Sequence, residues 1–193
     1  TLGLSSVTAF ATCTEDLCEG DRAYHMQREQ DVTIVEIRGG AIVVRFDDGS
    51  YSSNWYRDDF ALLTGCAKDL CVGFPVLNAM AGFRAARIHA IQRGGRYTIR
   101  YDDNGTIAQN WSRTDLAVAW GCVGGMCVND TVFASALGQT ARIVGVQGNP
   151  EGFPDRLVIQ TNSGRIQGNW QASELTLVQR GPTAYPPGRP CPM

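Results

Sequence analysis

Three cysteine pairs of one spacing, Cys13/Cys18 in CTEDLC, Cys66/Cys71 in CAKDLC and Cys122/Cys127 in CVGGMC, are the side chains of this 193-residue sequence best suited to covalent chemistry. A seventh cysteine, Cys191, stands near the end. Regular thiol pairs are metal ligands or reactive groups in a reducing compartment and disulfides in an oxidising one. Structural zinc prefers a tighter CxxC knuckle completed by a second pair or by histidines, and His25 and His89 are the only histidines. Disulfides are therefore expected, and no metal. A local scheme joins Cys13–Cys18, Cys66–Cys71 and Cys122–Cys127 and leaves Cys191. A scheme between repeats joins Cys18–Cys66, Cys71–Cys122 and Cys127–Cys191 and leaves Cys13. Only the local scheme explains why Cys13 stands at the standard spacing, and it is the expectation.

Candidates for catalysis are sparse. His25 and His89 fall at non-equivalent positions of an internal repeat, which points to surface or half-buried histidines rather than a repeated functional group. The carboxylate pairs Asp47-Asp48 and Asp102-Asp103 sit in turn sequences, where Asp is favoured for its local hydrogen bonds. Two adjacent carboxylates fall far short of the six to eight oxygens that calcium takes. The serines beside them lack a base, so neither nucleophilic nor acid–base catalysis has a constellation to work with. A protein that is not an enzyme and carries no cofactor is expected.

Aromatic side chains are the better candidates for binding. Tyr51, Trp55, Tyr56, Tyr97, Tyr101, Trp111 and Trp170 would line shallow grooves for a peptide, a sugar face or a cationic group. Trp120, the one tryptophan outside the repeat, suits packing between modules or an exposed contact. The competing reading is structural. Asn-Trp occurs at 54–55, 110–111 and 169–170, and a large ring repeated at one site of a small unit is a natural core plug. Period-two alternation places Trp55, Trp111 and Trp170 on the same strand face as Tyr51, Ile107 and Ile166, which favours the plug.

The elements that hold these residues repeat with a period of roughly 55 residues. Residues 13–65, 66–121 and 122–180 form three modules, preceded by a segment 1–12 and followed by a proline-rich tail 181–193. Within each module two alternating, β-branched stretches match, 32–37 with 86–91 and 141–146, then 41–46 with 97–101 and 156–160. A connection of variable length joins them. A tight turn follows in which Gly49, Gly105 and Gly164 supply a positive φ, and a last pairing strand carries the Asn-Trp. No stretch keeps a helical period, so the chain is all-β.

The run GFRAARIHAIQRGGRYTIRYDDNG followed by NWSRTDLAV resembles the Tudor and related SH3-like barrels, whose pattern is an opening G-D-x-V strand, a variable hairpin and a V-x-F-x-D-G turn. The resemblance covers each module from its second cysteine onward and implies three tandem small SH3-like barrels. The cysteine pairs, the signs of export and the lack of a clear aromatic cage depart from that family. A single β-trefoil is the structural alternative, since three repeats of four strands also close one barrel.

Residues 1–11, TLGLSSVTAFA, read either as the end of a signal segment closing at Ala9-Phe10-Ala11 or as a first strand of the mature chain. Both fit a secreted or periplasmic protein. No stretch approaches the about 18 apolar residues of a membrane helix. The net charge of −2 hides a gradient of −6 over residues 13–66, +3 over 67–121 and 0 over 122–181, with Arg189 completing the sum. Overall acidity argues against nucleic acid as a ligand. The expected function is an exported, non-catalytic, multivalent binding protein for cell-wall glycan or peptide. The alternative is a structural or inhibitory subunit of an envelope protein complex.

Overall fold

The computed structural model describes residues 11–148, 155–182 and 184. Among them the chain is all-β, with twenty-one short strands and six one-turn 3-10 helices. It divides into two compact units, one ending at Thr64 and one beginning at Gly65.

The first unit holds the strands of the first module. A two-strand hairpin, β1 (Cys13–Thr14) with β2 (Leu17–Cys18), leads into β3 (Arg22–His25), β4 (Gln30–Arg38), β5 (Ala41–Phe46), β6 (Tyr51–Trp55) and β7 (Phe60–Leu62). The strands β3 to β6 run as an antiparallel meander, and β7 returns to pair with β3. Alternation decides the burial. Val32, Ile34, Ile42 and Val44 turn inward with Ala23 and Phe60, and the hairpin adds Leu17 to the same core. Burying one such aliphatic side chain contributes about 2 kcal/mol. That matters in a module this small.

The second unit repeats the order twice. The second module runs β8 (Cys66–Ala67), β9 (Leu70–Cys71), β10 (Pro75–Asn78), β11 (Arg84–Gln92), β12 (Arg96–Tyr101), β13 (Ile107–Trp111) and β14 (Leu116–Val118). The third runs β15 (Cys122–Val123), β16 (Met126–Cys127), β17 (Thr131–Ala134), β18 (Gln139–Gln147), β19 (Arg156–Thr161), β20 (Ile166–Trp170) and β21 (Leu175–Gln179). In each, the last strand again lies beside the third, β14 on β10 and β21 on β17. The acidic residue that closes each module caps the 3-10 turn before that strand: Asp59, Asp115 and Glu174 accept from the backbone N–H of Tyr56, Ser112 and Gln171.

The two modules of this unit share one core. Strand β14 pairs with β18 as well as β10, with Ala117 opposite Gln147 and Val118 opposite Val146. Trp120 is buried in the joint cluster, edge-on to Phe74 with ring centroids 5.2 Å apart. Phe83, held at a φ of 62°, is laid on the backbone of Gly168, where an added Cβ would stand 2.2 Å from its ring. A φ of this sign is costly for a bulky residue and is compensated here by that packing.

The cysteines form the local disulfides. Cys13 stands directly opposite Cys18, Cys66 opposite Cys71 and Cys122 opposite Cys127, with Cα–Cα distances of 4.0, 3.8 and 3.9 Å. Cys191 and residues 1–10 lie outside the described residues.

Candidate functional site

The Asn-Trp motif is a bulge followed by a plug. Tyr51 pairs with Arg45 and Ser52 with Val44, but Trp55 pairs with Ile42, so three steps on β6 match two on β5. The extra step is Asn54, at a φ of 67°, and Asn110 and Asn169 sit at 67° and 65° in the equivalent ladders. Asn tolerates this left-handed conformation better than most residues. The bulge reverses the parity expected from the sequence. Tyr51, Ile107 and Ile166 lie opposite Arg45, Arg100 and Gln160 on the outer face, while each tryptophan turns to the core side.

Most of the aromatic residues offered above as ligand contacts therefore pack inward. Tyr97, Tyr101, Trp120 and Trp170 are buried, and the Tyr97 hydroxyl donates to the Ala67 carbonyl at 2.6 Å. Buried rings present no face to a ligand. Trp55 and Trp111 are half-buried. Only Tyr51 and Tyr56, 63% and 65% exposed, stand free, and both belong to the first module. Among the described residues no aromatic surface is repeated three times.

An open groove lies at the end of the first module where the β3–β4 and β5–β6 turns meet. It has a volume of about 320 Å³ and is lined by Arg28, Gln30, Phe46, Asp48 and Ser50. The guanidinium of Arg28 stands 6.0 Å from the centre of the Trp55 ring. Behind Phe46 lies His25, which is fully buried rather than near the surface. Its ring meets Trp55 edge-on at 4.1 Å, Phe60 edge-on at 5.1 Å and Phe46 in a stack at 6.2 Å. His25 Nε2 has no hydrogen-bond partner. Burial pushes this imidazole below its ordinary value of 6.5, with Arg28 adding to the shift and Asp59 opposing it.

The polar side chains Asp48 and Ser50 of the groove are tied to each other. Both the amide and the hydroxyl of Ser50 donate to Asp48 Oδ1, at 2.8 and 2.6 Å, and hold that carboxyl below the usual range. A carboxylate so stabilised is a poor base for the hydroxyl it touches. Asp47 is held low by Arg22, which donates to it at 2.6 Å. Among the described residues no group of three His, Cys, Asp or Glu side chains is placed to hold a metal.

The same place in the second module is filled. Arg84, the counterpart of Gln30, lies 3.9 Å over the Tyr101 ring and donates from Nε to Asp103 at 2.7 Å. Asn78, the counterpart of His25, donates to the Tyr101 hydroxyl at 2.8 Å. In the third module Ala134, Gln139 and Thr161 occupy these positions, with Ser163 in place of the carboxylate. Elsewhere the modules share a clamp. Arg57 and Arg113 bind Asp16 and Asp69 of the cysteine hairpins and donate to the carbonyls of Phe60 and Leu116. Ala172 and Gly125 replace that pair in the third module.

Arg28, Gln30, Phe46 and Ser50 were not apparent as site residues from their types alone, and Asp48 read only as a turn residue. The signal available was the difference between copies, Gln30 against Arg84 and Phe46 against Tyr101. No family model matches the chain, and no curated protein matches it.

Proposed function

We propose that the chain is an exported, non-catalytic recognition protein built of three tandem SH3-like barrels, which meets a peptide segment of a partner through the first module. The barrel reading is supported by the strand order, an antiparallel meander whose last strand, entered from a one-turn 3-10 helix, returns beside the first within every module. A trefoil would instead spread its closure over all three repeats. Export is supported by three disulfides, which persist in oxidising compartments. No helix among the described residues is long and apolar enough to cross a membrane.

The observation that carries the binding reading is the groove of Arg28, Gln30, Phe46, Asp48 and Ser50, open in the first module and filled by Arg84 in the second. Tyr51, which follows the lining residue Ser50 in the chain, is exposed and adds an aromatic contact suited to a partner segment. Among the described residues no aromatic patch recurs in all three modules, so the avidity expected from three equivalent sites loses its support. This moves weight toward a single protein partner, the alternative drawn from the sequence. Binding of the full chain to a peptide array and to purified wall glycan tests the reading, with Asp48→Lys as the groove variant. Peptide binding weakened at least tenfold by the variant supports it. Retention on glycan alone, undiminished by the variant, overturns it in favour of a wall-binding protein.

A further inference from the structure

We infer that the groove of the first module is a receptor for an arginine side chain of the partner, which would lie between the Phe46 ring and the Asp48 carboxylate. The inference rests on reading that groove as the recognition site, and the second module supplies its template. There an aromatic ring at the end of one strand, Tyr101, and a turn carboxylate, Asp103, hold the guanidinium of the module's own Arg84. The first module keeps the ring as Phe46 at the same step of the ladder, Val32 pairing with Phe46 as Ala86 pairs with Tyr101, and carries Asp48 two residues after its ring as Asp103 follows Tyr101, in a turn one residue shorter. What it lacks is the guanidinium. Gln30, paired with His25 as Arg84 is with Asn78, is too short and carries no charge. The consequence is the groove itself, lined by Gln30, Phe46 and Asp48.

The chemistry of the vacated place selects the ligand. A planar guanidinium stacks on a ring and donates in a fork to a carboxylate at once, which an ammonium does less well. The Asp48 carboxylate is ionised and more than half of its neighbours in the turn are exposed, so it is available to a second donor beside Ser50. Asp47 is committed to Arg22. Arg28, which also lines the groove, is the opposing charge, has no carboxylate partner among the described residues and lies toward Trp55. Together with Asp48 it leaves the groove formally neutral, so one arginine side chain binds weakly, at about millimolar affinity. The third module has neither ring nor carboxylate at these positions and forms no such site.

The test uses the full chain with its disulfides intact and acetyl-Gly-Arg-Gly amide as the probe, followed by NMR at the Trp55 indole N–H and the Ser50 amide. The comparison peptide carries citrulline, of the same shape but uncharged. Saturable shifts with the arginine peptide, at least fivefold weaker binding of the citrulline peptide and of Asp48→Asn, and loss of binding in Gln30→Arg are expected. The last variant folds as the second module does and fills its own groove. Equal binding of the two peptides, or unchanged binding in Gln30→Arg, overturns the inference. Shifts at the same signals from peptides without arginine overturn the arginine assignment and leave the peptide groove standing, whereas no groove shift from any peptide overturns both.

Discussion

Trp111 lies directly across the ladder from Tyr97, and it reaches that place only because the chain takes one additional step at Asn110. Without the bulge the indole would point outward with Ile107. The pair Asn-Trp is therefore one device in each module. A left-handed residue shifts the register by one and the ring that follows closes the core.

Replacing the left-handed residue tests this directly. Asn110→Gly is expected to leave stability within a few tenths of a kcal/mol, because glycine adopts a positive φ without strain. Asn110→Ala should cost about 1 kcal/mol and Asn110→Val about 2 kcal/mol. Urea unfolding of the three variants measures the order.

The arginine clamp is expected to be structural. Arg57 is only 5% exposed and donates to the Phe60 carbonyl at 2.6 Å as well as to Asp16. Arg57→Ala leaves that buried carbonyl without its donor and should destabilise the first module by about 2 kcal/mol. Arg57→Lys should recover less than half, since an ammonium cannot span both partners in one plane. Thermal unfolding of both variants decides this.

Each disulfide closes a loop with a sequence separation of only 5. A loop so short gains about 2 kcal/mol from restricting the unfolded chain. The double change Cys13→Ser with Cys18→Ser should lower stability by that amount while leaving the far-ultraviolet circular dichroism unchanged. A non-reducing peptide map of the wild-type chain should recover Cys13 joined to Cys18.

Stability should fall at both ends of the pH range. His25 is buried and its folded value lies below 6.5, so the unfolded chain takes up the proton first, and stability declines as pH drops below about 6.5. Burial raises the Tyr97 phenol to about 12, so the folded chain holds its proton longer, and stability declines as pH rises from about 10 toward that value. Denaturant midpoints from pH 4 to 12 trace the plateau. His25→Leu should flatten the acid limb only.

The repeat, the all-β class, the local disulfides and the glycine turns were legible in the sequence because each depends on neighbours within a few residues. Alternation in AIVVRF and YTIRY reports one buried face wherever the strand lies, and a cysteine spacing that suits a two-residue hairpin turn brings its thiols together without help from the rest of the chain. The parity of the tryptophans was misread for the same reason. Counting by twos assumes an unbroken ladder, and a bulge at Asn is invisible unless the partner strand is known.

The burial of His25 and the open groove were not legible either, since both depend on side chains brought in from separate strands. His25 read as a surface or half-buried residue until Phe46, Trp55 and Phe60 were placed around it. The sharing of one core by the second and third modules likewise rests on β14 pairing with β18, a contact across modules that no local pattern encodes. By itself the sequence determined the repeating unit and its staples, because those are set by local geometry and hydrophobic period. Only the tertiary structure decided that Gln30, Phe46 and Asp48 line an open groove where Arg84 covers Tyr101 in the next copy, because such a groove is defined by side chains brought together from separate strands.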